Sequence, residues 1–481
     1  MGLGTAAARG SAVTLGGQWV KFVIQFASIA VLARILSPDD FGKMAMVMAV
    51  AGAATVVGDF GLSLASIQAK TITMQQRSNL FWINSAIGVI LTAITFASAP
   101  LFDRFYGTDQ LSDLVRAVSV VFLVNGLTVQ LRADLTRNMK FVQLTLTEIF
   151  AHGTALAVAV AVAMLDHGVW ALLAQQVTVP VLLLFSSALV LRWVPGRPTR
   201  KADMRSLLSF GTNTMVTQLV TYSSANVDSV ALGKLHGSVE LGVYDRAYQL
   251  FKIPVAQLAT PMTRVALPVL SRITDPDVYM AYLVRAQKVL CYVMLGAFSY
   301  AAVTAYPLLN LVLGDGWTQA APIFRILAVG GAFQALSYIY YWIFLSTGRV
   351  DVHLRFSLIG RGLMVLVVCI GAVFGSIGTA IGSSVGFVGI WLVYSLIAVP
   401  RIGIDTRPVM ASALRPMIFF GLTFVVGSVS LNWYGPYLSD IAAMLAAALL
   451  FLLLLAAAAG LSKPFRADIA VLAGTVRKVR G

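Results

Sequence analysis

The chain has 481 residues, of which 58% are hydrophobic and 11% are charged, and its formal net charge is +15. Apolar runs long enough to cross a bilayer recur from end to end, which excludes an ordinary soluble domain. The positive charge does not indicate a nucleic-acid partner, because it is concentrated in the short segments on one side of these runs.

The apolar runs predict an all-α polytopic membrane protein with about fourteen transmembrane helices. The first run is too long and too polar along one stripe to be a cleaved signal peptide. The predicted spans are residues 13–36, 42–66, 78–101, 110–131, 142–164, 168–191, 206–232, 243–270, 283–309, 318–346, 354–375, 377–400, 410–432 and 438–461.

Lys and Arg residues are distributed unequally between the two sets of predicted loops. The side that carries few of them holds Arg34, Lys43, Arg104, Lys234 and Arg246. By the positive-inside rule, we expect a multi-pass membrane protein with both termini in the cytoplasm.

The first predicted span carries a polar stripe of Thr14, Gln18, Lys21, Gln25 and Ser28. Steps of four, three, four and three residues place these side chains on one helix face. A cation near the bilayer centre costs at least about 2.5 kcal/mol on insertion scales. Lys21 is therefore expected to face a wet cavity or a counter-ion, with the other four residues lining that cavity.

The second predicted span contains one acid, Asp59, on the same helical face as Gly52 and Ser63. Farther along, one turn apart on the fifth span, Glu148 and His152 could pair with each other. An acid inside a span indicates either a structural ion pair or a site for a coupling ion, a proton or sodium.

The polar stripe returns two hundred residues later as Thr214, Gln218, Thr221 and Asp228. The segment 32–42 also aligns without a gap on the segment 232–242. Six spans separate the two copies, so both enter the membrane from the same side. Parallel copies predict two six-helix lobes related by a pseudo-two-fold axis, with a central cavity between them.

This repeat sets the expected domain organisation. It consists of an N-lobe over residues 1–192, a basic cytoplasmic linker over 193–205, a C-lobe over 206–400, two extra spans over 401–461 and a basic cytoplasmic tail over 462–481.

The eighth predicted span combines a polar face, Asp245, Gln249 and Lys252, with prolines at 254, 261 and 268. Proline removes a helical hydrogen bond, so this span is expected to be kinked. The kink is either a functional hinge or a proline tolerated in a membrane helix.

Two further cations, Arg264 and Arg325, lie inside predicted spans, where they either line the cavity or extend to the interface. With Lys21 and Lys252 they predict a cavity that binds an anionic head group. The expected polar lining is Thr14, Gln18, Gln25, Ser28, Gln218, Thr221 and Gln249, and the expected ion-coupling acids are Asp59, Asp228 and Asp245. The four histidines are scattered, so neither a metal nor a cofactor is expected.

Several segments resemble one family of transporters. They are Ala8-Arg9-Gly10-Ser11, the segment 32–42, and Asp228 followed by Leu232-Gly233, Leu241-Gly242 and Tyr244. In these the chain is similar to the Wzx-type polysaccharide-biosynthesis flippases of the multidrug/oligosaccharidyl-lipid/polysaccharide exporter superfamily.

The resemblance implies a flippase of the bacterial cytoplasmic (inner) membrane that moves undecaprenyl-diphosphate-linked oligosaccharide repeat units across it by alternating access. These units then serve exopolysaccharide, capsule or O-antigen assembly. It implies as partners this polyprenyl-diphosphate-linked oligosaccharide, membrane lipids, a coupling proton or sodium ion, and the polysaccharide polymerase and chain-length machinery. Related flippases hold the diphosphate with basic residues of a V-shaped cavity, and by position Lys21 and Lys252 correspond to these. The peptidoglycan-precursor branch has several arginines on its first two spans, whereas this chain has Lys21 and Asp59 there.

Other functions remain open on the sequence alone. A multidrug or cation antiporter of the same superfamily would use buried acids, and a peptidoglycan lipid-precursor flippase would use the same layout. A membrane glycosyltransferase or polymerase needs a large outer loop bearing an acid, and a purely structural scaffold needs no matched charged faces. No nucleotide-binding loop is present in the sequence, so direct ATP hydrolysis is not expected as the energy source. Because the outer loops are short, we expect a transporter rather than an enzyme.

Overall fold

The computed structural model describes residues 3–69, 71–200 and 202–470, without the side chains of residues 3–15, 260, 261 and 436. Every regular element within these residues is helical. The chain forms two compact units, Met1–Gly242 and Val243–Gly481.

The first unit contains seven complete helices and most of an eighth, α8. They are α1 (Leu3–Ile35), α2 (Pro38–Asp59), α3 (Leu62–Gln68), α4 (Met74–Tyr106), α5 (Leu111–Arg137), α6 (Phe141–Met164), α7 (Val169–Leu191) and α8 (Arg205–Pro254). Within it, α4 packs along α5, while α6 packs on both α1 and α7.

The second unit begins within α8 and continues through the remaining helices. They are α9 (Thr260–Leu270), α10 (Pro276–Val303), α11 (Ala305–Leu313), α12 (Ala320–Leu336), α13 (Tyr338–Ser346), α14 (Val350–Ala372), α15 (Gly375–Val393), α16 (Arg407–Tyr434) and α17 (Asp440–Leu461). Here α10 packs on α12 and α16, and α15 packs on α12 and α14.

Helix starts follow the local sequence. Ser37 caps α2 and forms a reciprocal capping box with Asp40, and Pro38 occupies the first turn, where it needs no hydrogen-bond partner. Thr73 and Gln76 form the same box at the start of α4. These motifs fix where two of the membrane helices begin.

Thirteen helical segments of the described chain are long and apolar enough to cross a membrane, which confirms the expected all-α polytopic membrane protein. The longest, Arg205–Leu270, contains the predicted spans seven and eight. The connection predicted between those two spans is a sharp kink: α8 consists of two helices that meet at Gly237 (φ 83°, ψ −174°), which lies between the two predicted spans. Glycine alone adopts this backbone geometry readily. Arg246, expected in an outer loop, is a buried helical residue.

The proline-rich part of this segment is interrupted as expected. Helix α8 ends at Pro254, a π-helical turn covers Val255–Ala259, and α9 begins at Thr260. A π turn accommodates the hydrogen bond that a proline removes.

The second predicted span contains a break that the sequence pattern did not indicate. Phe60 (φ 48°) and Gly61 (φ 64°) adopt left-handed backbone conformations and separate α2 from α3. A side chain on Gly61 would contact the backbone of Gly211 in α8, so glycine is needed here for both conformation and space. Asp59 is the last residue before this break.

The two repeat copies meet inside the first unit. A Cβ atom on Gly42 would overlap the carbonyl oxygen of Ser238, and a Cβ atom on Gly242 would overlap that of Pro38. Residue 38 aligns with 238 in the repeat, and 42 with 242, so the contact is reciprocal. This reciprocity is the local signature of a two-fold relation between the copies.

Candidate anion-binding site

Three charged side chains from three helices of the first unit form one cluster, which we call the charge triad: Lys21, Arg132 and Glu148. Lys21 Nζ on α1 donates to Glu148 Oε2 on α6 at 3.1 Å. Arg132 Nη2 on α5 donates to the other carboxylate oxygen, Oε1. Lys21 thus has the counter-ion that its place in an apolar span requires.

Close packing of α1 on α6 positions this triad. Gly17 is buried, and a Cβ atom there would collide with the Thr145 side chain. The helices therefore approach closely one turn before Lys21 and about one turn before Glu148. The long lysine side chain spans the remaining distance.

The triad carries two cations and one anion, so it has an excess positive charge. Arg132 Nη1 is buried and has no hydrogen-bond partner among the described residues. The exposed fractions of the three side chains are 25% for Lys21, 26% for Arg132 and 22% for Glu148, so the cluster is open to a ligand. A guanidinium beside an ammonium is suited to a phosphate or carboxylate.

The rest of the first stripe does not form a single surface. Ser28 is buried and accepts a hydrogen bond from Gln175 Nε2 of α7 at 2.6 Å, whereas Gln18 and Gln25 are exposed. The Thr14 side chain lies outside the described residues. Lys21 and Ser28 therefore face neighbouring helices, and a lining role for the other three residues stays a prediction.

The second stripe, on α8, is also divided. Asp228 is 5% exposed and accepts the backbone N–H of Ser229 at 2.8 Å. Gln218 is half-buried, and Thr221 is exposed with its hydroxyl donating to the Thr217 carbonyl at 2.9 Å. Asp228 is thus held within the packed part of the helix, while Thr221 is satisfied by its own backbone.

Only one carboxylate oxygen of Asp59, the acid of the second predicted span, has a hydrogen-bond partner among the described residues. Ser63 Oγ donates to Asp59 Oδ2 at 2.8 Å across the break between α2 and α3. The other oxygen, Oδ1, is buried without a hydrogen-bond partner in the described part of the chain. A buried carboxylate oxygen without a donor is a place where a proton or cation would be accommodated.

The predicted cations of the second unit differ in their surroundings. Lys252 is exposed, with its ammonium 4.2 Å from the centre of the Tyr248 ring, and Arg264 is exposed. Arg325 donates through Nε to the Ala302 carbonyl at 3.0 Å and lies 5.4 Å from the Tyr306 ring centre. Arg325 is therefore engaged in packing α12 onto α10 and α11.

Asp245 and Gln249, predicted on the polar face of the eighth span, contact each other. Gln249 Nε2 donates to Asp245 Oδ2 at 3.0 Å, and Arg246 Nη2 donates to the same oxygen at 2.7 Å. Asp245 therefore has an arginine counter-ion within its own helix.

Arg132 is the residue that sequence reasoning missed. It was assigned to a loop because the fourth predicted span ended at residue 131, but α5 continues to Arg137. The expected pairing of Glu148 with His152 is replaced by its pairing with Lys21 and Arg132. The opposite charges of Arg132 and Glu148, about two turns to either side of the short α5–α6 connection, could have indicated this.

Comparison with known proteins agrees with this architecture. Residues 31–322, more than half of the chain, match the family described as "Polysaccharide biosynthesis protein". The chain belongs to this polysaccharide biosynthesis protein family.

Two relatives of this family member have names that refer to polysaccharide assembly. The chain is 28% identical to the teichuronic acid biosynthesis protein TuaB of Bacillus subtilis (strain 168), over 70% of this chain and 71% of that protein. It is 24% identical to the lipopolysaccharide biosynthesis protein WzxC of Escherichia coli (strain K12), over 81% of this chain and 79% of that protein.

A solved structure has the same fold. The lipid II flippase MurJ, in an inward closed conformation, superimposes with a TM-score of 0.71, covering 92% of this chain and 98% of its own at 13% identity. The family match confirms the resemblance stated from the sequence. The comparisons are with transport and biosynthesis proteins of this kind, which confirms a transporter rather than an enzyme.

Proposed function

We propose that this polysaccharide biosynthesis protein is a flippase that moves an anionic lipid-linked oligosaccharide between the leaflets of the cytoplasmic membrane. The charge triad is the observation that carries the proposal. It places two cations around one carboxylate within membrane-spanning helices, and an excess positive charge there favours an anionic ligand.

The substrate that best fits is a polyprenyl-diphosphate-linked oligosaccharide. Its diphosphate supplies the negative charge for Lys21 and Arg132, while the prenyl tail stays in the bilayer. Lys252 and Arg264, which are exposed on the second unit, are proposed separately as cations that attract an anionic head group. An unassisted head group of this charge would have to lose its hydration in hydrocarbon, which is the barrier that a flippase removes.

Transport by alternating access needs a group whose charge state changes during the cycle. Asp59 is the strongest of the predicted coupling acids, because one of its oxygens is buried without a partner in the described part of the chain. We propose a proton or sodium ion as the coupling ion, with both chain termini in the cytoplasm as the loop charges indicate.

Depletion of the protein tests the function. Lipid-linked oligosaccharide intermediates should accumulate in the cytoplasmic leaflet, as measured by mass spectrometry combined with leaflet-specific labelling. Normal distribution of these intermediates would contradict the proposal. Altered resistance to cationic dyes without any accumulation would indicate a multidrug antiporter instead.

Charge reversal tests the anion site. Lys21→Glu and Lys252→Glu should each abolish polymer export, because each introduces repulsion toward a diphosphate. Export is measured at matched amounts of protein in the membrane. Arg116→Gln is the control, because this residue pairs with Asp113 at the exposed start of α5 and should export normally. Normal export by both lysine variants would contradict the site.

A further inference from the structure

Glu148 accepts hydrogen bonds from the same donors that an anionic substrate would need. Its two oxygens accept separately from Lys21, at 3.1 Å, and from Arg132. Both cations are therefore already neutralised in part before any ligand arrives. A diphosphate that binds them must compete with this carboxylate.

Displacement of the Glu148 carboxylate from Lys21 and Arg132 would leave it half-buried without a counter-ion, which is energetically unfavourable. Its side chain is only 22% exposed, and a half-buried carboxylate that loses both of its counter-ions binds a proton more readily. The groups that face it are few. Helix α1 contributes Lys21, α5 contributes Arg132, and α6 itself contributes His152, which lies one turn away within electrostatic range of the triad. Helix α7, also packed on α6, contains no titratable side chain.

We propose that Glu148 is an exchangeable internal counter-ion: a diphosphate group displaces it from Lys21 and Arg132, and the released carboxylate takes up one proton from the aqueous phase. The one bond formed is the O–H bond of the neutral carboxyl group, and the aqueous proton donor, a hydronium ion, loses the corresponding O–H bond and becomes water. The inference rests on the proposed function for its substrate class, and it adds Arg132 as a binding residue and Glu148 as a residue that couples binding to protonation.

The chemistry predicts how binding depends on pH. Protonation accompanies binding, so affinity should rise as pH falls, by up to about tenfold per pH unit while the free carboxylate is ionised and the displaced one is protonated. Removing the competing charge should abolish this pH dependence. Glu148→Gln should bind more tightly, by about tenfold or more at alkaline pH, and its binding should depend little on pH.

Calorimetric titration of the full-length protein in nanodiscs with farnesyl diphosphate tests this inference. Titrations in buffers of different ionisation enthalpy measure the protons taken up. The wild-type protein should take up about one proton per ligand at neutral pH, and Glu148→Gln should take up none. Arg132→Gln should weaken binding by about tenfold or more.

Four further variants separate the explanations. Glu148→Asp keeps the carboxylate and should keep proton uptake, which distinguishes chemistry from packing. His152→Asn should also keep it, because His152 does not hold the two cations. Asp59→Asn tests whether the proton goes instead to the other proposed coupling acid. Arg116→Gln is the matched control on α5 and should behave as the wild type. Thermal unfolding of each variant shows that it is folded.

The outcomes distinguish this inference from the function on which it rests. Unchanged affinity and unchanged proton uptake in Glu148→Gln would overturn the exchange, as would loss of uptake only in Asp59→Asn or His152→Asn. Failure of the wild-type protein to bind the diphosphate would overturn both the proposed substrate class and the exchange. Accumulation of lipid intermediates on depletion, together with binding but no proton uptake, would support the function alone.

Discussion

Two buried asparagines on α4 differ in how their amide groups are satisfied. Asn79 donates through Nδ2 to the Thr199 carbonyl at 2.7 Å and accepts the Thr199 N–H at 2.9 Å. Asn84 is fully buried, and neither of its amide atoms has a partner among the described residues. Gln287, on α10 of the second unit, is likewise fully buried, with no hydrogen-bond partner for either amide atom among the described residues.

Substitution of these asparagines should therefore have opposite effects on stability. Asn84→Leu should raise the free energy of unfolding by about 1–3 kcal/mol, because it removes an unsatisfied buried amide at similar volume. Asn79→Leu should lower it by a similar amount, since it leaves two backbone groups of Thr199 without partners. Thermal unfolding of the detergent-purified variants measures both changes. A loss of stability in Asn84→Leu equal to that in Asn79→Leu would contradict this account.

At this scale the sequence predicts residues better than it predicts their partners. The spacing of the first stripe identified Lys21 as a cation needing a counter-ion, and the structure supplies Glu148. The sequence pattern could not identify Arg132, because hydropathy places the end of a helix where the apolar run ends. A helix such as α5 continues beyond that point through residues that pair with neighbouring helices.

Among the helices, the least predictable features are those that depend on contacts distant in sequence. No proline marks the break between α2 and α3; the left-handed turn at Phe60 and Gly61 is allowed by the space beside Gly211. The interruption at Val255–Ala259, by contrast, was predictable, since proline acts through the local backbone.

The glycine contact between α2 and α8 provides a test at this scale. Gly242→Val should destabilise the protein by about 1–3 kcal/mol, because its side chain would overlap the Pro38 carbonyl and force the helices apart. Unfolding in detergent and polymer export both measure the effect. Gly421→Val on α16 is the matched control, because a Cβ atom there meets nothing within 4 Å. Equal stability of the two variants would contradict this prediction, because it would show that α2 and α8 can separate at this contact without loss of stability.

For the molecule as a whole, the alignment of residues 32–42 with 232–242 predicted a repeat, and the reciprocal glycine contacts agree with it. The spans were predictable from hydropathy, and the count of thirteen candidate segments differs from the expected fourteen because Arg205–Leu270 holds two predicted spans that meet at the Gly237 kink. The docking of the C-terminal tail on α10 and α16 was not predictable from hydropathy, because it depends on a single acidic side chain, Asp468. Asp468 side-chain oxygens accept from Lys288 at 2.7 Å, Arg415 at 2.5 Å and Tyr292 at 3.3 Å.

This tail contact should contribute to the stability of the second unit. Asp468 is buried while its two cationic partners are partly exposed, so Asp468→Asn should lower the free energy of unfolding by about 1–3 kcal/mol. Proteolysis should also cleave the chain near residues 463–470 more rapidly in the variant. Asp109→Asn, at an exposed position between α4 and α5, is the control and should change stability by less than about 0.5 kcal/mol. A protease-resistant tail in Asp468→Asn would contradict this role.

The meeting of Gly42 with Ser238, and of Gly242 with Pro38, has a consequence for how this chain can vary. Each of these glycines packs directly against a backbone carbonyl group of the other repeat copy. A larger residue at either position would overlap that carbonyl group, which no substitution can remove. Each of the two positions is therefore expected to remain glycine as the two halves of the sequence diverge.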